Sequence, residues 1–261
     1  MYDVAALEAE LAGTVFAGGL HYSPLTGSTN TDAVAAARTG APHGTVCFAD
    51  EQQSGRGRGD HAWHSAAGEG LYASVVLRPS APPSRWPLLP LCAGLAAAEA
   101  IREAAGVAAD LRWPNDVLIG ARKVCGILVE AGSDAQGAPF AVAGIGINVH
   151  QREFVEGLST PATSLDREVG RWTGRQRLLV CLLKSVQRET DALADEASAA
   201  GIPARVEEAS TWVRGRRVEV HGPQACSGVT AGLDAYGFLR VMTEAGVVTV
   251  QTGGIRAAEM D

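Results

Sequence analysis

The sequence predicts an α+β protein, in which a mixed β-sheet flanked by helices is followed by a small β-barrel. The chain has 261 residues, 46% of them hydrophobic, which is enough for one large core and a small second one. Up to about residue 209, strand-like apolar segments alternate with helical patterns. Beyond it, short strand-like segments follow one another between turn residues, as is typical of small barrels. We therefore predict domains at residues 1–209 and 210–261.

Capping residues and apolar segments predict the first helices and strands. Residues 4–11 predict a short helix, and a strand or loop continues to Pro24. Residues 31–38 predict a helix that begins with a capping Ser, Thr or Asn side chain and ends at Gly40. Residues 45–49 form an apolar strand that leads into a segment rich in Gly and Arg.

The central elements are bounded by prolines and turns. Residues 71–77 predict a strand that Pro79 ends, and the alanine-rich segment 86–105 predicts a helix. Residues 114–116 are typical turn formers, and residues 175–193 carry an apolar stripe at helical spacing. Further strands are predicted at 111–113, 117–119, 124–130 and 140–149, and in the barrel at 217–221, 227–233, 238–242 and 247–251.

Composition excludes several classes of function. The net charge is −7, which argues against nucleic acid as the main partner because phosphate binding needs a basic face. Apolar segments are interrupted well before the length that spans a bilayer, and residues 1–11 lack the basic residues of a secretory signal. Five scattered cysteines without a C-x-x-C pair indicate reduced thiols. We expect a cytoplasmic protein that binds neither nucleic acid nor membrane.

The most informative motif is the run 52–63, Gln-Gln-Ser-Gly-Arg-Gly-Arg-Gly-Asp-His-Ala-Trp. Alternating glycines allow backbone conformations that other residues avoid and let the chain approach a ligand closely. Arg56 and Arg58 can each hold a carboxylate or phosphate through two parallel hydrogen bonds. The motif predicts a loop that folds over an anionic ligand.

A second motif runs from Trp113-Pro-Asn-Asp to Arg-Lys-Val-Cys-Gly-Ile. One interpretation is a hairpin in which Asp116 and Lys123 form an exposed ion pair of little energetic weight. The alternative is a ligand site, because Lys123 leads into an apolar strand where Gly126 leaves room for a ligand beside the backbone. Lys123 and Lys184 are the only lysines in the chain. We favour the ligand site, with Lys123 neutralising an anion as a point charge.

Two weaker motifs complete the set. The run 144–149, Gly-Ile-Gly-Ile-Asn-Val, fits a core strand with small residues as well as a binding strand. The triplet Ser28-Thr29-Asn30 fits a helix N-cap, which is compatible with binding because a helix N-terminus offers free N–H donors.

In this order, the four motifs resemble those of the biotin protein ligases. The resemblance covers about residues 23–148. Two runs are, as a pair, specific for that family: Gln-Gln-Ser-Gly-Arg-Gly-Arg, and Trp-Pro-Asn-Asp continuing to Arg-Lys-Val-Cys-Gly-Ile-Leu-Val-Glu at residue 130. The segment after residue 210, with Gly253-Gly254-Ile255, resembles the family's SH3-like C-terminal domain. The resemblance implies a catalytic fold related to class II aminoacyl-tRNA synthetases. It also implies an enzyme that uses ATP and Mg²⁺ to make biotinyl-5′-adenylate and then transfers biotin to a lysine of a biotin carboxyl carrier protein.

The resemblance assigns residues to biotin, to the adenylate and to catalysis. Biotin would be bound by polar side chains for its ureido ring and by the residues that close over its carboxylate: Ser28, Thr29, Asn30, Gln52, Arg56, Gly57, Arg58, Lys123 and Gly126. ATP and the adenylate would be bound by a partly shared set: Arg56, Arg58, Trp63, Asn115, Lys123, Ile127 and Asn148.

Catalysis is assigned to Lys123, Arg58 and Asp116. By the same resemblance, Lys123 bridges the biotin carboxylate and the α-phosphate, and Asp116 orients the attacking amine of the carrier. Trp63 offers its ring face to adenine. The magnesium ligands stay open.

The chain departs from the family pattern in two respects. Asp60-His61 stands where the family loop commonly continues with Gly-Arg, which leaves fewer permanent cations in the loop. About twenty residues precede the first motif, so we expect a ligase without the DNA-binding domain of the repressor type. A lipoate- or octanoyl-protein ligase and a non-catalytic biotin sensor are the alternatives, and both a monomer and a homodimer are compatible with the sequence.

Overall fold

The computed structural model describes residues 2–59 and 61–258, which form two β-sheets with helices on both faces of the first. The elements follow in the order α1 (Val4–Glu10), β1 (Leu20–Thr26), α2 (Thr29–Arg38), β2 (Val46–Gln52), β3 (Gly70–Leu77), a 3-10 helix (Pro83–Leu88), α3 (Leu89–Ala105), β4 (Asp110–Arg112), β5 (Asp116–Ile119), β6 (Arg122–Ser133), β7 (Pro139–Asn148), α4 (Leu165–Val169), α5 (Arg175–Ala194), α6 (Glu196–Glu208), β8 (Arg214–His221), β9 (Cys226–Leu233), β10 (Leu239–Thr243), β11 (Gly246–Val250) and β12 (Gly254–Ala257).

The first sheet has seven strands in the order β1-β2-β3-β7-β6-β5-β4. β1 and β2 are parallel, and the other neighbours are antiparallel, so the sheet is mixed. The second sheet is a five-stranded antiparallel one in the order β11-β10-β9-β8-β12. The predicted α+β class, with a β-rich C-terminal segment, is confirmed. The domain boundary that we place at residue 210 lies between α6 and β8.

The two faces of the first sheet carry different cores. α3 and α5 cover one face, where Leu71, Val75 and Ile147 join the main hydrophobic cluster. α2 covers part of the other face, where Ala33 and Val76 belong to a smaller cluster. The predicted apolar stripe of α5 is buried as expected: Leu179, Leu182, Leu183 and Val186. The uncovered remainder of the α2 face is where the site lies.

Two expectations about the helices are wrong in detail. α2 begins at Thr29, two residues before the predicted start, and the Ser28 side chain at its N-cap makes no capping hydrogen bond. The predicted helix 86–105 is divided, because the 3-10 helix that contains Pro87 precedes α3. A proline lacks the N–H that a continuous α-helix would need at that point.

Within residues 2–59 and 61–258, no helix combines the length and the hydropathy that a membrane-spanning helix needs.

The two sheets are joined through the Trp113 side chain. This indole is 4% exposed, and its Nε1 donates a hydrogen bond of 3.0 Å to the carbonyl oxygen of Gly237 in the turn before β10. Gly237 is itself buried. The hydrogen bond therefore lies in a buried interface, where the loss of one partner lowers the stability of the fold.

We expect Trp113→Phe to lower the free energy of unfolding by about 1–3 kcal/mol, because the buried carbonyl loses its donor. Urea denaturation measures the change. The matched control is Trp172→Phe, since Trp172 is 72% exposed, and it should stay within about 0.5 kcal/mol of the wild type. Equal effects of the two substitutions would contradict a structural role for the hydrogen bond.

Candidate active site

A cavity of about 930 Å³ opens on the α2 face of the first sheet, beside the N-terminus of α2. Every site residue that the sequence predicts lines it: Ser28, Thr29, Asn30, Gln52, Arg56, Gly57, Arg58, Trp63, Asn115, Asp116, Lys123, Gly126, Ile127 and Asn148. The four motifs, dispersed over more than a hundred residues of sequence, therefore meet at one place. Their individual roles stay predictions.

The Gly-Arg segment is a short antiparallel ribbon. Arg56 pairs with Ala62, and Trp63 donates from its backbone N–H to the carbonyl oxygen of Gly55 at 2.8 Å. Of the three glycines, Gly59 alone has a positive φ, of +59°. Gly55 is needed for a different reason from the one expected, because a Cβ there would collide with the carbonyl oxygen of Trp63. Asp60 lies outside the described residues.

The floor of the cavity is made of glycine backbone on β6 and β7. A Cβ at Gly146 would lie 2.5 Å from Cε2 of Trp63, and one at Gly126 would lie 2.7 Å from its Cζ3. The Trp63 indole thus lies directly on these two strands, and Lys123 Nζ stands 5.4 Å from its ring centroid. Its buried Nε1 has no acceptor among the residues that the structure describes. Gly146 of the Gly-Ile-Gly motif and Gly126 therefore make room for an aromatic ring in the cavity.

The two arginines of the ribbon have different partners. Arg56 donates to both carboxylate oxygens of Glu130, at 2.9 and 2.8 Å. Arg58 donates to the carbonyl oxygen of Gly253 at 2.7 Å and to Asn115 Oδ1 at 3.3 Å. Burial lowers the pKa of the Arg58 guanidinium and the nearby carboxylate of Asp116 opposes that effect, but an arginine keeps its charge throughout. Arg58 thereby connects the ribbon to the C-terminal sheet.

Lys123 belongs to a partly buried ionic network. Its Nζ lies 2.6 Å from Asp116 Oδ1, and Arg112 Nη2 lies 2.5 Å from Asp116 Oδ2. The side chains of Lys123 and Asp116 are 26% and 15% exposed, so the pair is not the exposed one of the hairpin interpretation. Burial alone would raise the pKa of Asp116, but the attraction of Lys123 and Arg112 outweighs it and holds that pKa below its ordinary value. The carboxylate is therefore ionised at neutral pH.

The residues at the N-terminus of α2 form a neutral polar corner. Gln52 Oε1 accepts from the backbone N–H and the hydroxyl of Thr29, at 2.9 and 3.0 Å. The Thr29 and Ser74 hydroxyls lie 2.9 Å apart, and Gln52 Nε2 donates to Ser65 Oγ at 2.7 Å. Ser28, Thr29 and Asn30 are all buried. This corner offers hydrogen-bonding groups without a net charge.

Three predicted site residues act through backbone or structural contacts. The Ile127 side chain is buried in the main core on the α3 side, so only its backbone borders the cavity. Asn115 Nδ2 donates to the Ile127 carbonyl oxygen at 2.8 Å, and Asn148 Nδ2 donates to that of Thr163 at 3.0 Å. An apolar contact between Ile127 and a ligand in the cavity is therefore excluded in this conformation.

Two parts of the cavity wall were missed by the sequence interpretation. One is the loop 151–162, which is anchored where the backbone N–H of Lys123 donates to Pro161 at 2.8 Å. The other belongs to the C-terminal sheet and includes His221 and the segment 252–256. The Gly253-Gly254-Ile255 run was a signal for the second part, but it pointed only to a domain type.

The carboxylates at the cavity do not form a preassembled metal site. Asp116 is occupied by Lys123 and Arg112, and Glu130 by Arg56. No group of three or more His, Cys, Asp or Glu with metal-binding geometry occurs in the described ranges 2–59 and 61–258. Mg²⁺ commonly keeps much of its water and binds through substrate phosphates. The cavity residues therefore do not indicate which side chains, if any, would bind it.

Comparison with known proteins places this cavity in a family context. Residues 22–149 match the biotin/lipoate A/B protein ligase family. The biotin–[acetyl-CoA-carboxylase] ligase of Mycobacterium tuberculosis is 34% identical over 238 residues, which are 88% of this chain and 85% of that protein. The bifunctional ligase/repressor BirA of Bacillus subtilis is 40% identical over 171 residues, 63% of this chain, and the chain spans only 53% of that relative. The biotin protein ligase from Aquifex aeolicus, solved with biotin and ATP, superposes with a TM-score of 0.79 and 29% identity, covering 91% of this chain and 97% of that one.

We expect Asp116→Asn to lower the free energy of unfolding by about 3 kcal/mol at pH 7, because Arg112 and Lys123 lose their shared counter-ion. The folded pKa of Asp116 is lowered, so its stabilisation is complete above the ordinary aspartate value of about 3.9 and is lost as the pH falls through the folded value. The difference between wild type and variant should therefore be constant between about pH 8 and pH 5 and shrink below about pH 4.

Urea denaturation across this range measures that difference. Asp191→Asn, on an exposed position of α5, is the control and should leave the unfolding free energy unchanged. A difference that grows as the pH falls would contradict the assignment of an ionised, cation-bound Asp116.

Proposed function

This chain belongs to the biotin/lipoate A/B protein ligase family, and we propose that it activates biotin with ATP and attaches it to a carrier protein. The observation that carries the proposal is the division of the cavity. One end is a neutral polar corner at Ser28, Thr29 and Gln52, and the other holds the cations Arg58 and Lys123. Biotin has the matching shape, because a neutral ureido ring and a carboxylate stand at opposite ends of the molecule.

The neutral corner fits the ureido ring. That ring presents two N–H donors and one carbonyl acceptor, so a site for it needs both acceptors and donors in a small buried space. Hydroxyls of Ser28 and Thr29 can supply either role, and Asn30 supplies an acceptor because its NH₂ group is bonded to Glu130. A buried polar corner also disfavours a purely apolar ligand, since its groups would then stay unpaired.

The first chemical step joins two anions. A carboxylate oxygen of biotin attacks the α-phosphorus of ATP, a new P–O bond forms, and pyrophosphate leaves. Both reactants carry negative charge, so fixed cations aimed at the developing charge supply much of the catalysis. We assign this role to Lys123 and Arg58, with Arg56 at the rim. Lys123 suits it because Asp116 holds its ammonium inside the cavity.

The second step transfers biotin. The amine of a carrier lysine attacks the carbonyl carbon of the adenylate and loses a proton, and AMP leaves. We assign Asp116 to orient that amine, since an ionised carboxylate bonded to Lys123 and Arg112 can still accept a further hydrogen bond. Trp63 gives adenine a ring face on the cavity floor. Magnesium would accompany the triphosphate.

The carrier is a biotin carboxyl carrier protein of a biotin-dependent carboxylase. Support comes from the name of the Mycobacterium tuberculosis relative, an acetyl-CoA-carboxylase ligase that this chain covers to 85% of its length. We also propose that the protein acts in the cytoplasm.

The test is an ATP-dependent transfer assay with purified carrier domain. We expect the wild type to biotinylate the carrier and Lys123→Ala to lower kcat/KM by about a hundredfold to a thousandfold, because a transition-state cation is lost. The matched control is Lys184→Ala, which removes the only other lysine at an exposed position of α5 and should retain full activity. A wild type without transfer, or an active Lys123→Ala, would refute the proposal.

The Asp60-His61 departure leads to a separate prediction. His61 lines the cavity at the tip of the ribbon, so His61→Arg adds a permanent cation beside the bound phosphate. We expect slower release of biotinyl-adenylate at pH 7.5, on the order of threefold to fivefold. Stopped-flow displacement of the preformed adenylate measures the rate, with His21→Arg on β1 as the control. An unchanged rate for His61→Arg would show that the loop order does not depend on this charge.

A further inference from the structure

We propose that Glu130 is a positioning residue that makes the cavity selective for ligands with a urea-type N–H, and that it acts through Asn30. The proposal rests on the proposed function, since it concerns how the biotin ring is recognised. Glu130 is the last residue of the Lys-Val-Cys-Gly-Ile-Leu-Val-Glu run. No role was predicted for it.

The Glu130 carboxylate joins two elements of the site. One oxygen accepts from Arg56 Nη2 at 2.8 Å. The other accepts from Arg56 Nη1 at 2.9 Å and also from Nδ2 of Asn30. Asn30 belongs to the first turn of α2 and Arg56 to the ribbon, so Glu130 connects these two elements.

This contact decides which end of the Asn30 amide points away from Glu130. The two ends of an amide have nearly the same shape, so the neighbouring groups select the orientation. A carboxylate that is paired with a guanidinium offers acceptors only. Asn30 must therefore direct its NH₂ group to Glu130 and its Oδ1 away from it.

Oδ1, at the other end of the amide, is a buried acceptor at the cavity wall. Asn30 is 4% exposed, and within the described part of the chain its buried Oδ1 has no hydrogen-bond partner. The oxygen lies over Gly144, where a Cβ would stand 2.5 Å away. Asn30 and Gly144 both line the cavity. A glycine on β7 thus leaves the room in which this acceptor lies.

The consequence is selectivity by hydrogen-bond type. A buried acceptor without a donor is costly, so a ligand that brings an N–H gains about tenfold to a hundredfold in affinity over one that does not. The ureido ring of biotin has such an N–H. A cyclic disulfide or an alkyl head group has none and would leave the Asn30 oxygen unpaired.

The first test is Glu130→Gln, measured by calorimetry with biotin alone. Glutamine has the same size but adds an NH₂ group that can donate to Asn30 Oδ1, so the inward and outward ends of the amide are no longer defined. We expect biotin affinity to fall by about tenfold or more. Desthiobiotin, which keeps the urea, should lose affinity to the same extent. The KM for biotin should rise more than the KM for ATP, a split that general damage to the fold would not give.

The second test is a rescue. Asn30→Asp alone places two carboxylates side by side and should weaken biotin binding. In the double variant Asn30→Asp with Glu130→Gln, glutamine donates to aspartate and the remaining aspartate oxygen again faces the cavity as an acceptor. We expect the double variant to bind biotin more tightly than either single variant. Gly144→Ala provides an independent check, because its methyl group displaces the same oxygen, and it should also weaken biotin binding about tenfold.

The outcomes separate the two levels of the argument. A wild type that fails to bind biotin overturns the proposed function. If the wild type binds biotin but Glu130→Gln keeps its affinity within about twofold, or the double variant is no better than the singles, the role of Glu130 is overturned while the ligase assignment stands. Should Glu130→Gln fail to fold, unchanged biotin affinity in Gly144→Ala overturns the role on its own.

Discussion

The buried carboxylate of Asp116 is the interaction on which the rest of the site depends. It holds Lys123 at 2.6 Å on one side and Arg112 at 2.5 Å on the other. Arg112 in turn donates to Thr160 of the loop 151–162 at 2.8 Å and stacks over Trp212 at 5.3 Å from the ring centroid. One anion therefore links strands β4, β5 and β6, the loop 151–162 of the cavity wall and the segment that leads to the C-terminal sheet. Removing a single member would leave charges in a poorly solvated place, which is why the network is costly to disrupt.

The cations of the cavity share a common design. Arg56 is paired with Glu130, Arg58 with the carbonyl oxygen of Gly253, and Lys123 with Asp116. Each partner fixes the direction of its cation, which is the kind of preorganisation that the proposed reaction of a carboxylate with a phosphate requires. The neutral corner at the other end is organised by the same means, since Gln52 fixes Thr29 and Glu130 fixes Asn30. Electrostatic preorganisation thus extends over the whole length of the cavity.

Much of this was predictable because the signals are local. The strands and the amphipathic α5 follow from apolar periodicity, and the convergence of the four motifs was implied by the family resemblance. The side-chain direction of Ile127 was not predictable, because β6 is covered on one face and borders the cavity on the other, so its apolar pattern does not alternate. The partners Glu130 and Gly253 were missed because they are set by tertiary contacts. Gly55 was assigned the wrong reason, since a cross-strand collision leaves no trace in the sequence around it.

The central claim is that the cavity recognises biotin in the presence of ATP. The most direct measurement is calorimetric titration of the wild-type protein with biotin and, separately, with lipoate, each with ATP present. We predict saturable binding of biotin at one site per chain and much weaker binding of lipoate, because lipoate lacks the N–H donors that the neutral corner requires. Tighter binding of lipoate would contradict the account and would favour the lipoate branch of the same family.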